Sequence, residues 1–155
     1  MDYKNLEFDP VWRACRAYTC LSGAARREGV EVTVGRAVLL LCASVVCEQV
    51  RRQSADDQLA HELCRELGQY LEVTQYDPRR PAVTILESLR NSLAHANVIT
   101  AADQGGQIEI LVLQNYGSKD LSHEHEPHWR AELKAGDIKM LVRAFRAYAE
   151  RNMSG

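Results

Sequence analysis

Hydrophobic residues recur every three or four positions through most of this 155-residue chain. This spacing is typical of helices with one apolar face, and it predicts five of them. Capping residues, prolines and glycines set their limits. The first helix begins at Asp9-Pro10 and ends near Gly29, the second runs from after Thr33 to about Arg52, the third opens at Ser54–Asp57, the fourth starts near Ala82, and the last follows Gly136-Asp137.

The pattern changes from helical spacing to alternation after Asn97. Residues 98–100 and 107–113 flank Asp103-Gln-Gly-Gly106, which predicts a β-hairpin. A third strand is predicted at Trp129–Leu133. We therefore expect a single domain over residues 1–155 that is mainly α: a helical bundle of about five helices, with a small hairpin or three-strand insertion before the last helix.

The second predicted helix is apolar on all sides, which is typical of a buried helix or of one at a subunit interface. Its longest apolar run, Ala37–Cys47, is too short to cross a bilayer. The first ten residues lack the charged-then-apolar pattern of an export signal. These features predict a cytoplasmic protein with no membrane contact.

Composition and charge narrow the possible functions. A net charge of −2 and a pI of about 6.2 exclude a generally basic nucleic-acid-binding surface, although they allow a local basic patch. Aromatic residues make up only 6% of the chain, which argues against a binder that stacks successive bases. The five cysteines show no C-x-x-C spacing, so we expect neither a metal site nor a cofactor.

Polar residues collect on one side of the fourth predicted helix. Glu87, Asn91 and His95 lie four apart and form a ladder, with Arg90 beside it. An imidazole can transfer protons near neutral pH, and a guanidinium binds phosphate oxygens. Such a set could cleave RNA through its own 2′-hydroxyl without a metal, particularly if two copies met across a dimer axis. From the spacing alone, a solvated outer face is the more common explanation for such a helix.

The stretch Leu89-Arg-Asn-Ser-Leu-Ala-His-Ala96 resembles the signature of HEPN domains (higher eukaryotes and prokaryotes nucleotide-binding). That signature is an arginine, a polar residue that is often asparagine, and a histidine after a short interval at the end of a core helix. Arg90, Asn91 and His95 occupy these places. The chain is similar to a bacterial branch of HEPN family nucleases in three features. These are the RN-x-x-AH stretch, the short β segment that follows it, and a final helix preceded by a WRAEL-like strand.

The resemblance implies a metal-independent endoribonuclease that acts as a homodimer on RNA. Arg90 would bind and polarise the scissile phosphate, His95 would be the acid and base, and Asn91 would be an accessory polar group. Such domains occur in toxin–antitoxin and phage-defence systems, so an antitoxin or regulatory protein is an expected partner. The alternatives are a non-catalytic HEPN module that binds a nucleotide or a partner, and a helical adaptor that assembles through its second helix.

One position departs from the pattern of HEPN toxins that are silenced by a nucleotidyltransferase. Those toxins carry a modifiable tyrosine two residues after the histidine, whereas this chain has Asn97. Silencing of that kind is therefore not expected.

Several charged residues outside the motif could contact substrate. Glu87 is a possible partner of Arg90 or Asn91. The remaining candidates are basic: Arg79, Arg80, Lys139, Arg143 and Arg146. If they border the cleft between the two subunits, they would contact the phosphate backbone of RNA. Otherwise they form solvated surfaces. The segment with His123, His125 and His128 is interpreted as a polar surface loop. The alternatives are that its histidines and carboxylates bind zinc or nickel, or that it borders the cleft.

Overall fold

The computed structural model describes residues 3–21, 29–52, 58–77, 85–116 and 126–154. These residues form five α-helices and four β-strands. In chain order the elements are α1 (Tyr3–Thr19), α2 (Val30–Arg52), α3 (Gln58–Gly68), β1 (Glu72–Tyr76), α4 (Ile85–Ala94), β2 (Val98–Ala102), β3 (Ile108–Asn115), β4 (Trp129–Lys134) and α5 (Ile138–Ser154). A 3₁₀ turn over Ala135–Asp137 joins β4 to α5.

The strands form one antiparallel sheet in the order β1-β4-β3-β2. One face of its central strands carries buried side chains, including Leu111, Leu113 and Leu133 at 1% exposure each. The motif helix α4 packs against β3. The chain is therefore mixed α/β, and the expected class, a mainly α bundle with a small insertion before the last helix, is wrong.

The strand that the prediction missed is β1, which lies between α3 and α4 in the chain. Its burial pattern shows no alternation, since Gln75 is half-buried and the other four residues are exposed. The strand forms by backbone pairing with β4, Glu72 opposite Glu132 and Tyr76 opposite Trp129. Because the strand buries no regular apolar face, its sequence lacks the period-two signal by which strands are recognised.

Three helix boundaries also differ from expectation. Helix α1 starts at Tyr3, so Pro10 lies inside the helix instead of at its first position. It stops at Thr19, well before Gly29, where backbone bonds from Cys20 to Ala17 and from Leu21 to Tyr18 tighten the last turn. Helix α2 begins at Val30. The predicted cap at Ser54–Asp57 and the predicted start of the fourth helix at Ala82 lie outside the described residues.

Helix α2 is central and packs against α1, α4 and α5. By length and composition, Val30–Arg52 could cross a membrane, because it contains an 18-residue window of mean hydropathy 2.0. The apolar run Ala37–Cys47 was too short to indicate this from the sequence. A core helix also passes this test, and 44% of that window is buried inside the fold. Val30 and Leu41 remain 38% and 39% exposed.

Candidate functional site

Helix α4 is buried on two sides and polar on the third. Leu86, Leu89 and Leu93 enter the core, and Ser88 accepts a 3.4 Å hydrogen bond from the Asn115 amide of β3. The remaining side is the α4 polar face, which we define as Glu87, Arg90, Asn91 and His95. The first three are half-buried and His95 is exposed. The fold therefore presents the predicted ladder on the surface.

His95 is held at a capped helix end. Its N–H donates to the Asn91 carbonyl at 3.1 Å. The Ala96 N–H donates to the Leu93 carbonyl at 3.2 Å, and the Asn97 N–H to the Ser92 carbonyl at 2.8 Å. This is a Schellman cap, with Ala96 in the left-handed region at φ 54°. The chain enters β2 directly afterwards, which fixes the backbone from which the imidazole projects.

Arg90 carries an unused hydrogen-bond donor. Its Nη2 donates to Asn91 Oδ1 at 2.7 Å. Its Nε is buried and has no hydrogen-bond partner in the described part of the chain. An unsatisfied buried donor costs about 1–3 kcal/mol, and more when it is charged. Asn91 thus fixes the guanidinium, and because Nε has no access to solvent, an anion would bind at the Nη atoms.

The last turns of α2 lie beside this arginine. Glu87 Oε1 is 3.5 Å from Arg51 Nη2 in a partly exposed ion pair. Burial raises the pKa of the Cys47 thiol to about 11, and the nearby Arg90 guanidinium offsets this only in part. Cys47 is therefore a neutral thiol near pH 7 and no nucleophile. Neither Cys47 nor Arg51 was predicted, because the contact between α2 and α4 leaves no local pattern.

The basic residues of α5, which are Lys139, Arg143 and Arg146, belong to a helix that is not a main neighbour of α4. Arg146 Nε donates to Glu150 Oε1 at 3.1 Å, and Arg143 contacts Met140. Helix α5, which also carries Lys139, packs chiefly against α1, α3 and α2, whereas α4 packs chiefly against α2, α3 and β3. Arg79 and Arg80 lie outside the described residues.

The histidine-rich segment is described only in part. The His128 N–H donates to the Asn115 carbonyl at 2.8 Å, and its carbonyl accepts from the Asp77 N–H at 2.9 Å. His123 and His125 fall outside the described residues. Within the described ranges, no group of three or more His, Cys, Asp or Glu side chains could hold a metal ion.

A cleft of about 370 Å³ opens at the other end of the sheet. Leu71, Glu72 and Lys134 are among the residues that line it. Lys134 pairs with Ile110, at the end of β3 that is distant from the α4–β2 turn. The cleft is therefore separate from the α4 polar face.

Comparison with known proteins places the motif in a family context. The family model of HEPN pEK499 p136 matches residues 47–155, a span that contains α3, the whole sheet, α4 and α5. No curated protein and no solved structure matches the chain. Since the matched residues make up more than half of the sequence, the chain belongs to the HEPN pEK499 p136 family.

Proposed function

We propose that this protein is a metal-independent endoribonuclease whose site is shared by two subunits of a homodimer. The observation that carries this proposal is the α4 polar face: a guanidinium oriented by Asn91 and an exposed imidazole on one helix end. HEPN domains are often ribonucleases and often act as dimers on RNA. The proposal extends that family tendency to these residues.

The reaction is an attack of the ribose 2′-oxygen on the adjacent phosphorus. A new bond forms between the 2′-oxygen and phosphorus, and the bond from phosphorus to the 5′-oxygen breaks. His95 of one subunit takes the 2′-hydroxyl proton, and the partner's His95 gives a proton to the leaving 5′-oxygen. Arg90 binds the phosphate oxygens, and Asn91 holds the guanidinium in place. The products are a 2′,3′-cyclic phosphate and a 5′-hydroxyl.

Two copies suit this chemistry better than one. Arg90 and His95 are five residues apart, which separates them by about 7.5 Å along the helix axis. One imidazole also cannot supply both proton transfers at the same moment. The α4 polar face adjoins the second half of α2, a helix that leaves Leu41 39% exposed. An interface that covers α2 would bring two polar faces together around one phosphodiester.

A free ribonuclease would damage the cell that makes it. We therefore assign the activity a toxin-like or phage-defence role in the cytoplasm, with an antitoxin or regulatory protein as the restraining partner. Growth of a host that expresses the wild type or His95→Ala tests this role, because only the active form should arrest growth.

The decisive experiment is cleavage of RNA by purified protein in the presence of EDTA. We expect 2′,3′-cyclic phosphate ends, and a loss of at least about 100-fold in rate for Arg90→Ala and for His95→Ala, the usual contribution of acid–base groups. His61→Ala is the matched control, since His61 is an exposed histidine on α3. Activity that disappears on chelation, or that survives both substitutions, contradicts the mechanism.

The second candidate is a non-catalytic module that binds a nucleotide or a partner through the same face. It is favoured by one observation: the net charge of −2 leaves the chain without a generally basic surface for RNA. Calorimetry with nucleotides and with RNA, combined with the cleavage assay, separates the candidates, because binding without any cleavage of RNA supports the module and contradicts the enzyme.

A further inference from the structure

A second guanidinium reaches the α4 polar face from helix α2. Arg51 Nη2 lies 3.5 Å from Glu87 Oε1. Burial raises the pKa of the Cys47 thiol. The charges of Arg90, Glu87 and Arg51 also act on this pKa, so all three groups lie near one buried sulfur. The two guanidiniums therefore belong to one place in the fold, although they come from different helices.

The contact with Glu87 places Arg51 at one end of the α4 polar face. On α4 this face runs from Glu87 through Arg90 to His95, about 12 Å along the helix axis. Arg51 joins it at the Glu87 end. The proposed acid–base group thus lies at one end of the face, the phosphate-binding Arg90 lies between, and a further cation lies at the other end.

The Arg51–Glu87 ion pair is long and open to water. Its 3.5 Å separation exceeds the roughly 2.7–2.9 Å of a strong charge-assisted hydrogen bond. The side chain of Arg51 is 57% exposed and that of Glu87 is 37% exposed. Pairs of this kind contribute little to stability. Glu87 is the only ion-pair partner of Arg51 among the described residues, and Arg51 can exchange it for another anion at small cost.

We propose that Arg51 binds an RNA backbone phosphate next to the one that is cleaved, in competition with Glu87. The inference rests on the proposed function and deepens it by adding a subsite on α2. A guanidinium matches two phosphate oxygens and keeps its charge at every working pH. Since the chain has a net charge of −2, RNA affinity depends on local positive sites. Glu87 limits that affinity, because its carboxylate repels the phosphate and occupies Arg51 in the free protein.

The chain supplies a matched ion pair for comparison. Arg52 follows Arg51 directly, and its Nη2 lies 3.3 Å from Oε1 of Glu48, one turn earlier on the same helix. The two side chains are 60% and 54% exposed. This pair has the same charges and a similar exposure, but it lies within α2 and does not involve α4. Substitutions in it therefore measure the general effect of one charge on RNA binding.

The test is RNA binding by full-length His95→Ala protein, which retains substrate, at several salt concentrations. Adding Arg51→Gln should weaken binding several-fold and reduce the slope of log K against log salt by about 0.7, the value for one contact to a single strand. Glu87→Gln should have the opposite sign and strengthen binding. The two together should recover only part of the loss, because the phosphate contact is still missing. Arg52→Gln and Glu48→Gln should each change affinity less than their counterparts.

Two further measurements separate a binding role from a structural one. In protein that keeps His95, Arg51→Gln should raise KM and leave kcat nearly unchanged, because the flanking phosphate does not react. Arg51→Lys should keep the salt slope but only part of the affinity, because the fork is lost. If the pair only fastens α2 to α4, Arg51→Gln and Glu87→Gln both lower the thermal unfolding midpoint and neither shifts RNA affinity beyond its control. That result overturns the subsite.

The outcomes distinguish the two proposals. If the wild type neither cleaves nor binds RNA, the proposed function fails and the subsite fails with it. If the wild type cleaves RNA, but Arg51→Gln and Glu87→Gln behave like Arg52→Gln and Glu48→Gln, the ribonuclease stands and the subsite is wrong.

Discussion

At the scale of single residues, the most unusual backbone position among the described residues is next to the candidate histidine. Ala96 adopts φ 54°, a conformation that costs an L-residue roughly 1–2 kcal/mol and that glycine usually occupies at a helix end. The Schellman bonds to Leu93 and Ser92 keep it there. The strain is local, and it accompanies a cap that sets the direction of the chain after His95.

Replacing Ala96 by glycine should therefore stabilise the protein. The steric cost disappears, whereas the greater freedom of glycine in the unfolded chain costs about 0.4–1 kcal/mol, which leaves a net gain of about 0.5–1 kcal/mol. Urea unfolding measures the change. Ala94→Gly, two residues earlier in the exposed last turn of α4, should instead destabilise by about 1 kcal/mol. Equal signs for the two variants would contradict this account of the cap.

At the scale of elements, three helices meet closely at one glycine. A Cβ on Gly35 of α2 would lie 2.6 Å from Ile138 Cγ2 of α5 and 3.1 Å from Tyr18 Cε2 of α1. The Ile138 methyl is part of a β-branched side chain and cannot rotate away freely. Gly35 thus allows the approach of α1 and α5 on which the position of the central helix depends.

Gly35→Ala should lower the free energy of unfolding by about 1–2 kcal/mol, since overpacking outweighs the better helix propensity of alanine. Gly136→Ala serves as the control, because a Cβ there meets no atom within 4 Å. Thermal or urea unfolding of both variants provides the comparison. Combining Gly35→Ala with Ile138→Leu, which removes the clashing methyl, should recover part of the loss. Similar stabilities for the two alanine variants would show that the junction is loosely packed.

At the scale of the whole molecule, the proposed cleft needs residues from two subunits. If each cleft requires His95 from both chains, a dimer with one inactive chain has no working site. At constant total protein, an equal mixture of wild type and His95→Ala should then retain about one quarter of the wild-type activity after subunit exchange. A subunit that works alone would retain about one half. RNA cleavage is measured across mixing ratios. A shared site makes activity depend on the square of the wild-type fraction, whereas a linear dependence on that fraction excludes the shared site.

Much of this structure follows from local patterns in the chain. The apolar stripe of Leu86, Leu89 and Leu93 predicts α4, and the ladder of Glu87, Asn91 and His95 is indeed its polar side. The hairpin of β2 and β3 follows from alternation around a turn with Gly105 and Gly106. Motif recognition is local in the same sense, and the predicted HEPN membership is confirmed over residues 47–155.

The sequence by itself determined which segments are amphipathic, which family they belong to, and which face of α4 carries polar side chains, because each of these depends on neighbours within one or two turns. Only the tertiary structure decided that β1 joins a four-stranded sheet, since edge pairing uses backbone groups that every residue has. The same holds for Cys47 beside Arg90 and for Arg51 beside Glu87. These neighbours are distant in the chain, and the packing of α2 against α4 brings them together.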